Sequence, residues 1–139
     1  LPTTNKRSAD LTGQGNILFV EDEISVRDIA SKSLRRKGYK VIEADDGEEA
    51  LDILKNSKEP FDLMISDVVM PSMDGPTLLR KGRDLLGAAR IVFVSGYAED
   101  DFSELLSDET DVSFLPKPFT LAQLAEKVKN EIGESDVKP

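Results

Sequence analysis

The 139-residue sequence contains no cysteine and no histidine. Without cysteine the chain can form neither a disulfide nor a thiolate metal site, and a reducing compartment fits that composition. Without histidine it has no imidazole base or imidazole metal ligand, and it cannot carry a phosphohistidine of its own. Any metal or phosphoryl chemistry must therefore rely on oxygen ligands, hydroxyl groups and the cations of lysine and arginine.

The sequence also lacks an excess of basic residues and any long apolar run. Its formal net charge is −9, which argues against nucleic-acid binding because that affinity depends on lysine and arginine neutralising phosphates. No apolar stretch approaches the roughly eighteen residues that a membrane span needs, and residues 1–15 lack the apolar core of a signal peptide. We expect no nucleic-acid partner, no membrane contact by this segment and a cytoplasmic location, even where a parent protein is anchored in a membrane.

The length and the 39% hydrophobic content are typical of a single domain with a sizeable core. Residues 1–15 are polar and rich in threonine, serine and glycine, so we expect a flexible linker there. Residues 134–139 have the same character and are expected to form a disordered tail. The domain itself is predicted over residues 16–133.

Short apolar runs alternate with helical periods, which predicts strand–helix units, a parallel sheet and a doubly wound α/β fold. The predicted strands are residues 16–20, 40–44, 61–66, 90–95 and 112–115. The third is the most apolar and is therefore expected at the centre of the sheet. The predicted apolar helix faces are Val26, Ile29, Ala30, Ser33 and Leu34; Ala50, Leu51 and Leu54; Leu78, Leu79, Leu85 and Leu86; Phe102, Leu105 and Leu106; and Leu121, Leu124, Ala125, Val128 and Ile132.

Acidic side chains follow two of the predicted strands. Glu21 and Asp22 come after the first strand and Asp67 after the third, and ligands of doubly wound sheets bind beyond these carboxyl ends. Two carboxylates about 4 Å apart repel by roughly 4 kcal/mol at an effective dielectric near 20. Mg²⁺ removes that repulsion and prefers oxygen ligands. Because carboxylates also form aspartyl phosphates, Asp67 is predicted to be a phosphoryl acceptor beside a magnesium ion.

A hydroxyl and a cation complete the set. Ser95 ends the fourth strand, and Lys117 follows the fifth, between Pro116 and Pro118. Phosphoryl transfer needs positive charge fixed near the transferred group, and the two prolines restrict the backbone on both sides of the lysine. We therefore expect Lys117 and the Ser95 hydroxyl to contact the phosphoryl oxygens.

Four segments resemble the receiver domain of two-component response regulators: VEDE (20–23), SDVVMPSMDG (66–75), VSGY (94–97) and KPF (117–119). The resemblance covers about residues 15–133. It implies a flavodoxin-like (βα)5 three-layer sandwich with strand order 2-1-3-4-5, and a domain that catalyses its own aspartyl phosphorylation and dephosphorylation. The implied roles are Glu21, Asp22, Asp67 and the main-chain carbonyl of Val69 as Mg²⁺ ligands; Asp67 as acceptor of a phosphoryl group from phosphohistidine; Lys117 as phosphoryl-binding cation; and Ser95 and Phe114 as the switch pair.

The resemblance also implies a cis peptide bond between Lys117 and Pro118. Phe114 departs from the commoner tyrosine of the family, and Glu21 is longer than the commoner aspartate. Because the chain starts with leucine and opens on a polar lead, we interpret it as the receiver of a hybrid histidine kinase. The expected partners are then a histidine kinase domain and a separate histidine phosphotransferase.

Other interpretations of the same residues remain open. Asp67 and the acids after the first strand could cap helices, Ser95 could merely end a strand, and Phe114 could be a core residue. A flavodoxin-type cofactor carrier would need a phosphate-binding loop where the chain has acids, and an aspartyl phosphatase would need an acid where it has Val69. The remaining alternative is a receiver-like interaction module that works without phosphorylation, because motifs establish capability rather than use.

Overall fold

The structure, a computed structural model, describes residues 11–96 and 112–133. Within this part of the chain, five parallel strands form one sheet in the order β2-β1-β3-β4-β5. The strands are β1 (Asn16–Val20), β2 (Lys40–Ala44), β3 (Leu63–Asp67), β4 (Arg90–Ser95) and β5 (Val112–Pro116), and the helices are α1 (Ile24–Arg36), α2 (Gly47–Asn56), α3 (Gly75–Leu86) and α4 (Leu121–Val128). The last helix continues as a π-helical turn, Lys129–Gly133. The predicted fold and strand order are confirmed, and the third strand lies at the centre.

Two apolar layers sandwich the sheet, because side chains alternate between its faces. Ile17 and Phe19 of β1 pack with α1 and α4, whereas Leu18 and Val20 pack with α2 and α3. All four of these side chains are almost completely buried. The core therefore holds the strands in place from both faces of the sheet. The side chains at the carboxyl ends of the strands are attached to a rigid backbone as a result.

The third strand is shifted from its predicted bounds. It begins at Leu63 rather than at residue 61, and it runs on to include Asp67. The Asp62 N–H donates to the Asn16 carbonyl at 2.8 Å, and the Asp62 carboxylate accepts from the Asn16 N–H at 2.8 Å. At this end of the strand the Asp62 carboxylate, rather than a main-chain carbonyl, accepts the hydrogen bond from the Asn16 N–H. Phe61 is still buried, as its apolar character predicts.

Three side chains predicted on buried helix faces are exposed instead: Ile29 (55%), Leu85 (46%) and Leu121 (41%). The buried stripe of an amphipathic helix is only about 100° wide, and residues at its margin extend past the sheet. Ile29 and Leu121 lie on either side of a cleft between α1 and α4. The prediction for these three residues was wrong because helical periodicity does not locate the edge of the stripe.

The helix ends and close contacts follow local chemistry. Thr120 is the N-cap of α4: its hydroxyl accepts from the Gln123 N–H at 3.0 Å and forms a complete capping box. A Cβ at Gly82 would lie 3.1 Å from Leu54, so the glycine permits close packing of α3 against α2. Ahead of β1, the Gly13 N–H donates to the Lys37 carbonyl at 2.9 Å, which places the lead segment against the end of α1.

Some predictions concern residues outside the described ranges. The predicted helix with Phe102, Leu105 and Leu106 is among them, as are residues 1–10 and the tail, 134–139. No helix within the described ranges is long and apolar enough to cross a membrane.

Candidate functional site

An acidic cluster lies where β1 and β3 end. The two strands are parallel neighbours with Val20 opposite Ser66, so the residues that follow, Glu21 and Asp67, are brought side by side. Carboxylate oxygens of Glu21, Asp22 and Asp67 all lie within 4.8 Å of one another. Glu21 and Asp67 are only 2% and 7% exposed, whereas Asp22 is open to solvent. The three predicted metal ligands with side-chain oxygens are therefore together.

Lys117 reaches this cluster from the end of β5. Its Nζ lies 3.1 Å from Asp67 Oδ2 and 3.3 Å from Glu21 Oε1. The main chain is held as well, because the Lys117 N–H donates to the Ser95 carbonyl at 2.8 Å. The Lys117–Pro118 peptide bond is cis, as the resemblance implies. One ammonium group is thus shared by two largely buried carboxylates.

The electrostatics leave the cluster short of positive charge. Burial, followed by the hydrogen bond and charge of the neighbouring Asp67, raises the pKa of Glu21 to about 7, and the Glu23 N–H and Lys117 only partly offset this rise. Burial would lower the pKa of Lys117, but the hydrogen bond and charge of Asp67 and the charge of Glu21 outweigh it, so that the pKa is raised. The 3.3 Å ion pair therefore does not hold the pKa of Glu21 at its ordinary value, because burial and Asp67 dominate. The electrostatics of such a site favour the binding of a further cation.

The predicted hydroxyl lies one strand away from the acids. Ser95 is the last residue of β4, is 6% exposed, and follows Val94, which pairs with Asp67 in the sheet. Parallel pairing therefore places the serine beyond Asp67 on the same edge of the sheet.

The aromatic residue Phe114 lies on β5, the outer strand on that side of the sheet. It is half-buried and pairs with Phe93 of β4, with ring centroids 6.1 Å apart and planes tilted by 44°. Phe114 thus borders the core layer of α2 and α3 without being enclosed by it.

The loop after β3 presents its backbone near the acids. The Val68 N–H donates to the Val94 carbonyl at 3.0 Å, and the Val68 carbonyl accepts from the Gly75 N–H at 2.8 Å. Val69 comes next, and its side chain is 57% exposed. A Cβ at Gly75 would approach the Asp67 carbonyl to 2.7 Å, so only glycine lets α3 start this close to the acid.

One residue of the site's surroundings is missing from the sequence prediction. Arg27, in α1, donates to the Glu21 carbonyl and pairs with Glu43 and Asp45. An arginine six residues after an acidic strand end was the available signal, but its acidic partners Glu43 and Asp45 lie in β2 and just after it and could not be identified by spacing.

The comparisons with known proteins agree with this geometry. A family model described as a response regulator receiver domain matches residues 17–129. The chain belongs to the response regulator receiver family. This receiver domain is 46% identical over 131 residues to the sensor kinase CckA of Brucella abortus (strain 2308), across 94% of this chain and 14% of that protein. The chain therefore spans a small part of that sensor kinase.

Two further relatives are similar over nearly their whole length. The response regulator receiver protein CpdR of Brucella abortus (strain 2308) is 34% identical over 113 residues, which is 81% of this chain and 92% of that protein. The crystal structure of the receiver domain from the hybrid histidine kinase CckA is 52% identical, with a TM-score of 0.75, and the match covers 85% of this receiver domain and 99% of that one.

Proposed function

We propose that this receiver domain is the phosphoacceptor of a two-component phosphorelay, in which Asp67 takes a phosphoryl group from a phosphohistidine. The observation that carries the proposal is the position of the Lys117 ammonium, 3.1 Å from one oxygen of a largely buried Asp67 carboxylate. A largely buried acid beside a fixed cation suits a reaction that brings a dianionic group to the carboxylate.

The donor set fits Mg²⁺. Two buried carboxylates share one ammonium, the pKa of Glu21 is raised, and the converging side-chain ligand atoms are all oxygens. Glu21, Asp22, Asp67 and the main-chain carbonyl of Val69 would hold the ion. When bound, Mg²⁺ would neutralise the carboxylates and orient the phosphoryl oxygens.

The chain's own residues then have distinct tasks. An Asp67 oxygen forms a bond to phosphorus while the P–N bond to the donor imidazole breaks, and the electron pair of that bond stays on the imidazole nitrogen. Lys117 exchanges part of its contact with Asp67 for the phosphoryl oxygens and balances their charge. Ser95 donates its hydroxyl to the same oxygens.

Phosphorylation would change the positions of the Ser95 and Phe114 side chains. Movement of the serine towards the phosphoryl group frees space beside β4, and the half-buried Phe114 ring is placed to follow, which alters the surface around β5 and α4. The phosphodonor lies outside this chain because the sequence has no histidine. The likeness to a sensor kinase and to a hybrid histidine kinase receiver supports a histidine kinase domain and a histidine phosphotransferase as partners.

The first test is chemical labelling with a small acyl phosphate and Mg²⁺, followed by intact-mass measurement. We expect one added phosphoryl group on the wild type and on Asp52→Asn, which changes an exposed acid of α2, and none on Asp67→Asn. A wild-type protein that stays unlabelled, while still binding a partner, would identify it as an interaction module that works without phosphorylation. Labelling that survives in Asp67→Asn would assign the phosphoryl group to another residue.

A further inference from the structure

Arg27 connects α1 to the acidic cluster of Glu21, Asp22 and Asp67 through its guanidinium group. Its side chain is 13% exposed, and its Nη1 donates to the Glu21 carbonyl at 2.7 Å. The same nitrogen lies 2.7 Å from Asp45 Oδ1, and Nε lies 3.3 Å from Glu43 Oε1. A single planar group therefore joins the end of β1, the strand β2 and the residue just beyond it.

These contacts hold the main chain of Glu21 from both sides. The Glu21 N–H donates to the Ala44 carbonyl of β2 at 3.1 Å, and the Glu21 carbonyl accepts from Arg27. The peptide that links Glu21 to Asp22 is thus tied to β2 through the guanidinium, and the peptide before it is tied to β2 directly. Both residues of that peptide carry carboxylates of the acidic cluster.

The charge of Arg27 is already balanced by Glu43 and Asp45. It therefore cannot make up for the lack of positive charge between Glu21 and Asp67, which the ammonium of Lys117 meets only in part. The contribution of Arg27 to the acidic cluster is geometric: it sets where the main chain after β1 places its two carboxylates.

We propose that Arg27 is the positioning residue of the cation site, and that it sets Mg²⁺ affinity by fixing the peptide between Glu21 and Asp22. The proposal rests on the proposed function in one respect, namely that the ion is Mg²⁺ at this cluster. Residues that orient metal ligands typically contribute 10- to 100-fold to metal affinity. We expect a loss in that range when the guanidinium is removed.

The chain provides a matched control on the same helix. Arg35 donates to the Val41 carbonyl at 2.8 Å and to Glu43 Oε2 at 3.0 Å, so it also ties α1 to β2 and shares an acceptor with Arg27. The contacts of Arg35 lie further from the acidic cluster than those of Arg27. Arg27→Gln and Arg35→Gln each remove links between α1 and β2, and only the first also removes the bond to Glu21 and the ion pair with Asp45. Arg27→Lys keeps the charge, but one ammonium cannot reproduce the planar fork.

The experiment measures Mg²⁺ affinity by calorimetric titration and, without metal, amide hydrogen exchange at residues 21–23. We expect Arg27→Gln to weaken Mg²⁺ binding about 10- to 100-fold and to speed exchange at these amides, with Arg27→Lys between it and the wild type. Arg35→Gln should keep the wild-type affinity within about twofold. Thermal unfolding of each variant shows whether it is folded at the temperature used, and Arg27→Lys keeps the test decisive if Arg27→Gln unfolds.

Equal Mg²⁺ affinity in Arg27→Gln and the wild type, or an equal loss in both glutamine variants, would overturn the proposal. A wild-type protein that binds no Mg²⁺ would instead contradict the metal-dependent function proposed above. In that case the exchange measurement decides the role of Arg27. Faster exchange at residues 21–23 in the Arg27 variants alone would support the positioning of the acidic cluster, and unchanged exchange would exclude it.

Discussion

Replacing Glu21 by glutamine should change how the stability of the metal-free protein depends on pH. Burial, followed by the hydrogen bond and charge of Asp67, raises the pKa of Glu21 from 4.5 to about 7 in the folded state. The folded protein thus binds a proton more tightly than the unfolded chain does. The contribution of this group to stability is complete below about pH 4.5 and is lost as the pH rises through about 7.

The size of the effect follows from the shift. Each pKa unit corresponds to about 1.4 kcal/mol, and because Glu21 interacts closely with the charges of Asp67 and Lys117, we expect roughly 1–2 kcal/mol in total. Glutamine keeps the shape of the side chain but cannot ionise. The free energy of unfolding of Glu21→Gln minus that of the wild type should therefore increase by this amount between pH 4.5 and 8.

Urea unfolding of both proteins in the presence of a chelator, at a series of pH values, measures this difference. Glu48→Gln, which changes an exposed acid of α2, serves as the control and should show a nearly constant difference from the wild type. A Glu21→Gln difference that does not vary with pH, or that falls as the pH rises, would refute the reasoning. Mg²⁺ at ten times its dissociation constant should restore about 1.4 kcal/mol to the wild type.

Substitutions at three further residues test other parts of the structure. Lys117→Met should bind Mg²⁺ at least as tightly as the wild type. Its labelling by acyl phosphate should be roughly 100-fold slower, because the ammonium that stabilises the negative charge of the transferred phosphoryl group is lost. An unchanged labelling rate would contradict the role of the lysine. Ser31→Ala should raise the free energy of unfolding by about 1 kcal/mol in urea titrations, since the fully buried Ser31 hydroxyl has no hydrogen-bond partner among residues 11–96 and 112–133. Destabilisation would show that the hydroxyl does form a hydrogen bond. Ser72→Gly should stabilise the protein by up to about 1 kcal/mol because Ser72 has φ 64°, and Ser72→Val should unfold at lower urea; the reverse order would exclude strain at this turn.

The fold could be predicted from local patterns because each strand is a short apolar run bounded by turn residues. The convergence of Glu21, Asp67 and Lys117 could be predicted too, since parallel topology brings the carboxyl ends of neighbouring strands to one edge. The strand ends alone do not give distances. Lys117 Nζ lies 3.1 Å from Asp67 Oδ2 and 3.3 Å from Glu21 Oε1. These contacts depend on how the turn between β5 and α4 directs the lysine side chain.

The rest depends on long-range packing. Ile29 and Leu121 have the spacing of core residues, yet both are exposed because they lie at the margins of their helices, beside a cleft. The partners of Arg27 come from β2 and the residues after it, which have no fixed spacing from α1 along the chain. Phe114 remains a predicted switch residue: its half-burial and its contact with Phe93 fit both a mobile ring and a packing residue.

Phosphotransfer from a phosphohistidine protein tests the central claim most directly. A histidine kinase domain that carries a phosphohistidine would be mixed with this receiver domain and Mg²⁺, and the phosphoryl group followed over time. We predict that label leaves the phosphohistidine and appears on the wild-type receiver as an acid-stable, base-labile acyl phosphate, and that Asp67→Asn receives none. Equal transfer to the wild type and to Asp67→Asn would contradict the assignment of Asp67 as the acceptor.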